Sequence, residues 1–103
     1  MRAIVEAKAL RDVLKGMKPR SDRIKIMRDP VARVTAGGTS IVLLGEFENS
    51  SSVAAEVLAA GAGVIPIRTA VDVLAPYPKK ANVEIRSEEG AFWIDKLRIP
   101  VRP

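Results

Sequence analysis

The sequence predicts an α+β domain in which a strand, a helix and several antiparallel strands occur twice. Three observations point there. Asp12-Val13-Leu14 returns sixty residues later as Asp72-Val73-Leu74, with Lys8 matched by Arg68. Around these motifs lie short runs rich in Val, Ile and Leu, broken by Gly, Pro and Asp turn residues. The chain has 103 residues, 48% of them hydrophobic but only 4% aromatic, which suits one domain with an aliphatic core. The expected arrangement is one domain over residues 1–103, a first half of about 1–60 and a second of about 61–103, with both helices on one side of mainly antiparallel sheet.

Residues 2–7 read as the first strand. Residues 8–17 read as a helix: at 100° per residue Ala9, Leu10, Val13, Leu14 and Met17 share one face. Lys8, Arg11, Lys15 and Lys18 fall within roughly 80° on the other side. Gly16 and Pro19 mark the exit, and so short a helix needs a sheet to pack on. Ile24 and Ile26 suggest a strand over 23–28. Asp29-Pro30 supplies a turn, and residues 31–36 read as the hairpin partner of that strand. Gly37-Gly38 forms the next turn, and residues 41–48 the next strand. Gly37-Gly38-Thr39-Ser40 lacks the Gly-Lys-Ser/Thr ending of a phosphate loop and has no helix signal after it, so it reads as a hairpin turn.

Asn49 to Ser52 reads as polar punctuation. Asn49-Ser50-Ser51 matches a glycosylation acceptor by chance. Residues 53–60 are open between two readings. Alanine content, a Ser52 cap and Gly61 favour a helix, whereas a position between strands allows a β-strand. Residues 64–68 read as a strand with Pro66 at an edge or bulge. Thr69 then caps a short helix that runs to Leu74 and stops before Pro76 and Pro78. Residues 82–86 and 91–95 read as a hairpin around Glu88-Glu89-Gly90, and residues 97–103 as a closing strand.

Composition removes several function classes. Without cysteine there are no disulfides and no thiol chemistry. Without histidine the commonest general base and transition-metal ligand are missing. No cofactor, metal site or small-molecule substrate is expected. Ala3-Ile4-Val5 is too short for the apolar core of a signal peptide, and no stretch approaches membrane-spanning length, so the expectation is a cytoplasmic protein without a membrane partner. Glu46 and Glu48 share a strand face, and Glu88-Glu89 sit in a turn, but neither pair has a recognisable catalytic partner. The expectation is therefore not an enzyme.

Net charge is +5, and it is uneven: residues 8–28 hold eight Lys or Arg against Asp12 and Asp22, a net of +6 beside −1 elsewhere. A localised basic stretch fits a polyanionic partner, and it equally fits a solvated helix face. Trp93 and Phe92 alternate on a late strand, so they offer no shared stacking platform. Trp93 reads as a partly buried anchor.

The layout resembles one domain of the DNA sliding clamps, the β subunit of bacterial replicative polymerase and, more distantly, proliferating cell nuclear antigen. The resemblance rests on the strand–helix run from Val5 to Leu14, on the Val-Ile-Pro step and helix from Gly63 to Leu74, and on the hairpin and final strand from Asn82 to Pro103. It implies two short helices lining the inside of a ring, with basic residues facing duplex DNA without reading its sequence. By position, Lys8, Arg11, Lys15 and Lys18 of the first unit and Arg68, Lys79 and Lys80 of the second would face the nucleic acid. Clamp chains carry two or three such domains and this sequence carries one, so a ring would need six copies. Val71 and Ala75 stand where the first unit has Arg11 and Lys15, which leaves the second helix poorly basic. Two functions follow: non-specific contact with double-stranded DNA, or a protein-interaction module that keeps the clamp fold and assembles with itself through edge strands such as Leu97 to Val101.

Overall fold

Alternation of buried and exposed residues sets the strands. In the computed structural model, which describes residues 1–17, 29–46, 49–88 and 90–101, β1 (Arg2–Glu6) buries Ala3 and Val5 and exposes Arg2 and Glu6. Helix α1 (Ala7–Gly16) follows without a loop and buries Ala7, Leu10 and Leu14. Strands β2 (Val31–Gly37), β3 (Ser40–Gly45) and β4 (Ser50–Ala59) complete the first unit. The second repeats the order with β5 (Gly61–Pro66), α2 (Ile67–Leu74), β6 (Asn82–Glu88), β7 (Ala91–Ile94) and β8 (Leu97–Pro100). This is the α+β arrangement expected from the internal repeat.

All strand pairs are antiparallel, in the order β5-β2-β3-β4-β1-β6-β7-β8. Strand β4 joins the two halves of the sheet. Ser50 to Ala54 pair with β3, and Ala55 to Ala59 pair with β1. Gly63 of β5 lies so close to Ser87 of β6 that a Cβ would collide with the serine side chain, so the halves also face each other across the core. Both helices pack against each other and onto the inner faces, and one cluster of buried aliphatic residues with Phe92 at its heart holds the layers together. No helix among the described residues is long and apolar enough to cross a membrane.

One open reading is settled and three expectations change. Residues 53–59 belong to the strand β4: Val53 is buried and Ala55 and Val57 are half-buried on one face, and pairing to two strands overrides the helical preference of alanine. Ser50 to Ser52, read as punctuation, lie inside the same strand. Residues 31–36 form β2, which has β3 as its hairpin partner on one edge and β5 on the other. Residues 23–28 lie outside the described residues. The last concerns the start of α2. The helix begins at Ile67, so Ile67 and Arg68 leave the strand, and Thr69 does not cap it. Asp29 does so from 40 residues away: its carboxylate accepts from Arg68 N (2.7 Å), Thr69 N (2.9 Å) and Thr69 Oγ1 (2.7 Å). The Asp29-Pro30 pair is therefore a cap for a distant helix. Gly38, with φ of 60°, makes the expected β2–β3 turn.

Candidate nucleic-acid interface

The outward side of α1 is set by its own periodicity. With Leu10, Leu14 and Met17 buried, Lys8 and Lys15 must be exposed, and they are. Arg11 is only half-buried, and its Nε is buried without an acceptor, so its guanidinium is held down against the protein. Lys8 Nζ lies 3.1 Å from the Asp12 carboxylate one turn on. Both partners are about half exposed, so this pair contributes only a few tenths of a kcal/mol. A phosphate approaching Lys8 must compete with Asp12. Lys18 lies outside the described residues.

The second unit's cations sit at helix starts. Arg68 is exposed in the first turn of α2, next to the Asp29 carboxylate that its own N–H engages. Lys79 and Lys80 are exposed in the exit from α2. The next residue, Ala81, accepts from Ala7 N at 2.9 Å, which brings this exit to the first turn of α1. Lys80 and Lys8 thus flank the start of one helix although 72 residues of sequence separate them. The same backbone link recurs in the other half, where Ile67 N donates to Pro30 O at 2.8 Å. Asp29 and Lys80 therefore occupy matching places, one residue before the carbonyl that anchors a helix. The start of α2 has its acid. The start of α1 has Glu6 at its N-cap, but that side chain makes no capping hydrogen bond, and no acid lies in the first turn. Lys80 takes the place there that Asp29 takes at α2. Nothing in the sequence signals that Lys79 and Lys80 lie beside the start of α1.

Elsewhere the polar groups serve the fold. A hollow of about 650 Å³ is lined by Tyr77, Glu84, Ile94, Asp95, Lys96 and Leu97. Its acids are already engaged: Asp95 accepts from Tyr77 O–H (2.7 Å) and Glu84 N (2.9 Å), while Glu84 accepts twice from Arg2 (2.9 and 3.2 Å). The hydrogen bond to Asp95 raises the Tyr77 pKa, and the hydrogen bond from Arg2 lowers that of Glu84. Among the described residues no group of three or more His, Cys, Asp or Glu is placed to hold a metal ion.

No protein-family model matches the chain, and no curated protein matches it in sequence. Solved structures do match. The β clamp of Helicobacter pylori, in its complex with a DNA ligase peptide, superposes with a TM-score of 0.83 at 12% identity, covering 100% of this chain and 31% of that one. The DNA polymerase III subunit beta of Pseudomonas aeruginosa gives 0.71 at 19% identity, over 96% and 29%. The DNA polymerase sliding clamp of Caulobacter crescentus gives 0.71 at 17% identity, over 97% and 29%. The chain has the fold of one domain of a bacterial β clamp and spans just under a third of the clamp chains it matches. At these identities the likeness concerns the fold.

Proposed function

We propose that this chain is a clamp-like binding domain whose α1 face contacts the backbone of duplex nucleic acid without reading sequence. One observation supports the proposal: Lys8 and Lys15 are exposed along α1 with the half-buried Arg11 between them, and the backbone of Lys79-Lys80 is brought to the start of that helix by the Ala81–Ala7 link. The chemistry is phosphate neutralisation with release of condensed counterions. Such contacts position a protein on DNA and carry no base information. The acids Asp12 and Asp72 on the two helices and Asp29 beside Arg68 weaken the face, so affinity per domain is modest and rises when copies act together.

Fluorescence anisotropy of a labelled duplex tests this. Binding falls with salt at a log–log slope of about −3 for three or four phosphate contacts. Reversing Arg11 and Lys15 to Glu together removes it, while Lys96→Glu on the β7–β8 turn leaves it unchanged. Undiminished binding by the Arg11/Lys15 double variant would sink the proposal.

A second reading, assembly with further copies or another protein, is favoured by the sheet edges. β5 and β8 end the strand order, and Leu97 at the start of β8 is 49% exposed. Light scattering behind gel filtration decides it: a strict monomer at high concentration speaks against assembly and against any ring.

A further inference from the structure

The ladders of the second half-sheet build a row that sequence spacing does not reveal. Arg2 stands opposite Arg86, Arg86 opposite Trp93, and Trp93 opposite Arg98. Directly opposed residues share a face. Three steps of strand spacing make the row about 14 Å long. The residues of the other parity, Ala3, Ile85, Phe92 and Ile99, are buried. The row therefore lies on the side of the sheet turned away from the core and the helices.

The three arginines are not equivalent. Arg2 is matched by Glu84 in a two-point pair. The Arg86 guanidinium lies 4.3 Å from the Trp93 ring centroid and forms an ion pair with Glu88 at 3.9 Å, beyond hydrogen-bonding distance. Arg98 is exposed and has no ion pair among the described residues. Two guanidiniums thus flank one indole, and among the described residues neither is hydrogen-bonded to an acid. Stacking on an aromatic ring fixes the plane of Arg86 and leaves its edge donors directed outward.

We propose that Arg86, Trp93 and Arg98 form a docking site for an acidic linear segment of a partner protein. Two carboxylates of the segment seat on Arg86 and Arg98, and the chain between them crosses Trp93. The two arginines are two strand steps apart, about 10 Å, which an extended peptide spans in about three residues. Carboxylates match the guanidinium fork in two-point contacts. A single-stranded nucleic acid fits less well. Arg86 already covers the ring against which a base would stack. The site is on the opposite side from α1, so one domain can engage a duplex and an acidic partner together.

Trp93 is the only tryptophan, so its emission reports on the site directly. The full chain is titrated with hexaglutamate at low salt. A saturable change in Trp93 emission is expected, and Arg98→Gln should weaken the peptide about tenfold or more. Arg86→Gln alters the emission by itself, so its effect is read by calorimetry, with the same loss expected. Lys15→Glu, on the other side of the molecule, should leave peptide binding intact. No saturable change up to about 1 mM peptide would overturn the site, as would equal loss in Lys15→Glu. An oligo-dT strand that binds through Arg98 where hexaglutamate does not would overturn the assignment to a protein partner. Melting curves of each variant confirm that the fold is kept.

Discussion

Replacing Asp29 by alanine should destabilise the domain through a helix it precedes by nearly 40 residues. The Asp29 carboxylate accepts three hydrogen bonds at the start of α2, two from backbone N–H groups and one from the Thr69 hydroxyl. Pro66, which precedes the helix, offers no side-chain cap, and the first turn contains no acid. Loss of an N-cap costs about 1 kcal/mol, and loss of a charge at the positive helix end about another 0.5 kcal/mol. The orphaned Thr69 hydroxyl can turn to water, so about 1.5–2 kcal/mol in total is expected. For a domain of this size that lowers Tm on the order of 10 °C. Asp29→Asn keeps an acceptor without the charge and should lose about half as much. Urea unfolding followed by circular dichroism gives both values. A double-mutant cycle with Thr69→Val tests the route: the coupling should be clearly non-zero, because the two side chains share a bond. An Asp29→Ala variant within about 0.3 kcal/mol of the parent would refute the reasoning. Duplex affinity supplies an opposite sign, since removing this acid beside Arg68 should strengthen binding while it weakens the fold.

Other outcomes follow from the same geometry. Lys80→Asp places an acid where the second half has Asp29, and should raise stability by about 0.5–1 kcal/mol while lowering duplex affinity; urea melts and anisotropy read the two. Gly63→Ala drives a Cβ into the Ser87 side chain and should cost about 1–3 kcal/mol, with Ser87→Gly restoring part of it in the double variant. Leu10 is fully buried in α1, and Leu10→Ala should cost about 2–5 kcal/mol in the same assay. Tyr77 is the only tyrosine, and its hydrogen bond to Asp95 raises its pKa above the ordinary 10.0. A raised pKa means that the hydrogen bond supports the fold below the unfolded value and is lost as pH climbs through the folded one. Phenolate absorbance should therefore appear at higher pH in the native chain than in urea, and Asp95→Ala should remove most of the difference, leaving the part due to burial.

Local rules made most of the fold legible. The periodicity of Leu10, Leu14 and Met17, the Asp-Val-Leu echo and the turn at Gly37-Gly38 each depend on neighbours within a few residues, and the structure keeps them. Strand β4 was illegible because Ala54, Ala55 and Ala59 favour helix locally, while its two partners, β3 and β1, are chosen by the whole sheet. The Thr69 cap failed for the same reason: a local rule looks for a cap beside the helix, and the acid comes from Asp29 across the fold. Of the candidate interface, sequence spacing shows the row on α1, because a helix repeats its faces every few residues. It does not show Lys80 beside Lys8, which depends on the Ala81–Ala7 bond, nor Arg98 in line with Arg86, which depends on strand register.

That division bears on the internal repeat itself. Comparing the two units along the sequence aligns Lys8 with Arg68 and Asp12 with Asp72, and suggests helices differing mainly at Arg11 and Lys15. The structure shows a larger difference contributed from outside each helix. The backbone link is the same at both starts, with Ile67 on Pro30 and Ala7 on Ala81. The side chain one residue earlier is an aspartate in one case and a lysine in the other. The first neutralises the positive end of α2 and fastens it to the fold. The second puts a lysine beside the start of α1, where the N-cap residue Glu6 makes no capping hydrogen bond. One copy of the repeat thus favours stability and the other keeps a positive surface, and a single residue exchanged between the copies should move both properties in opposite directions.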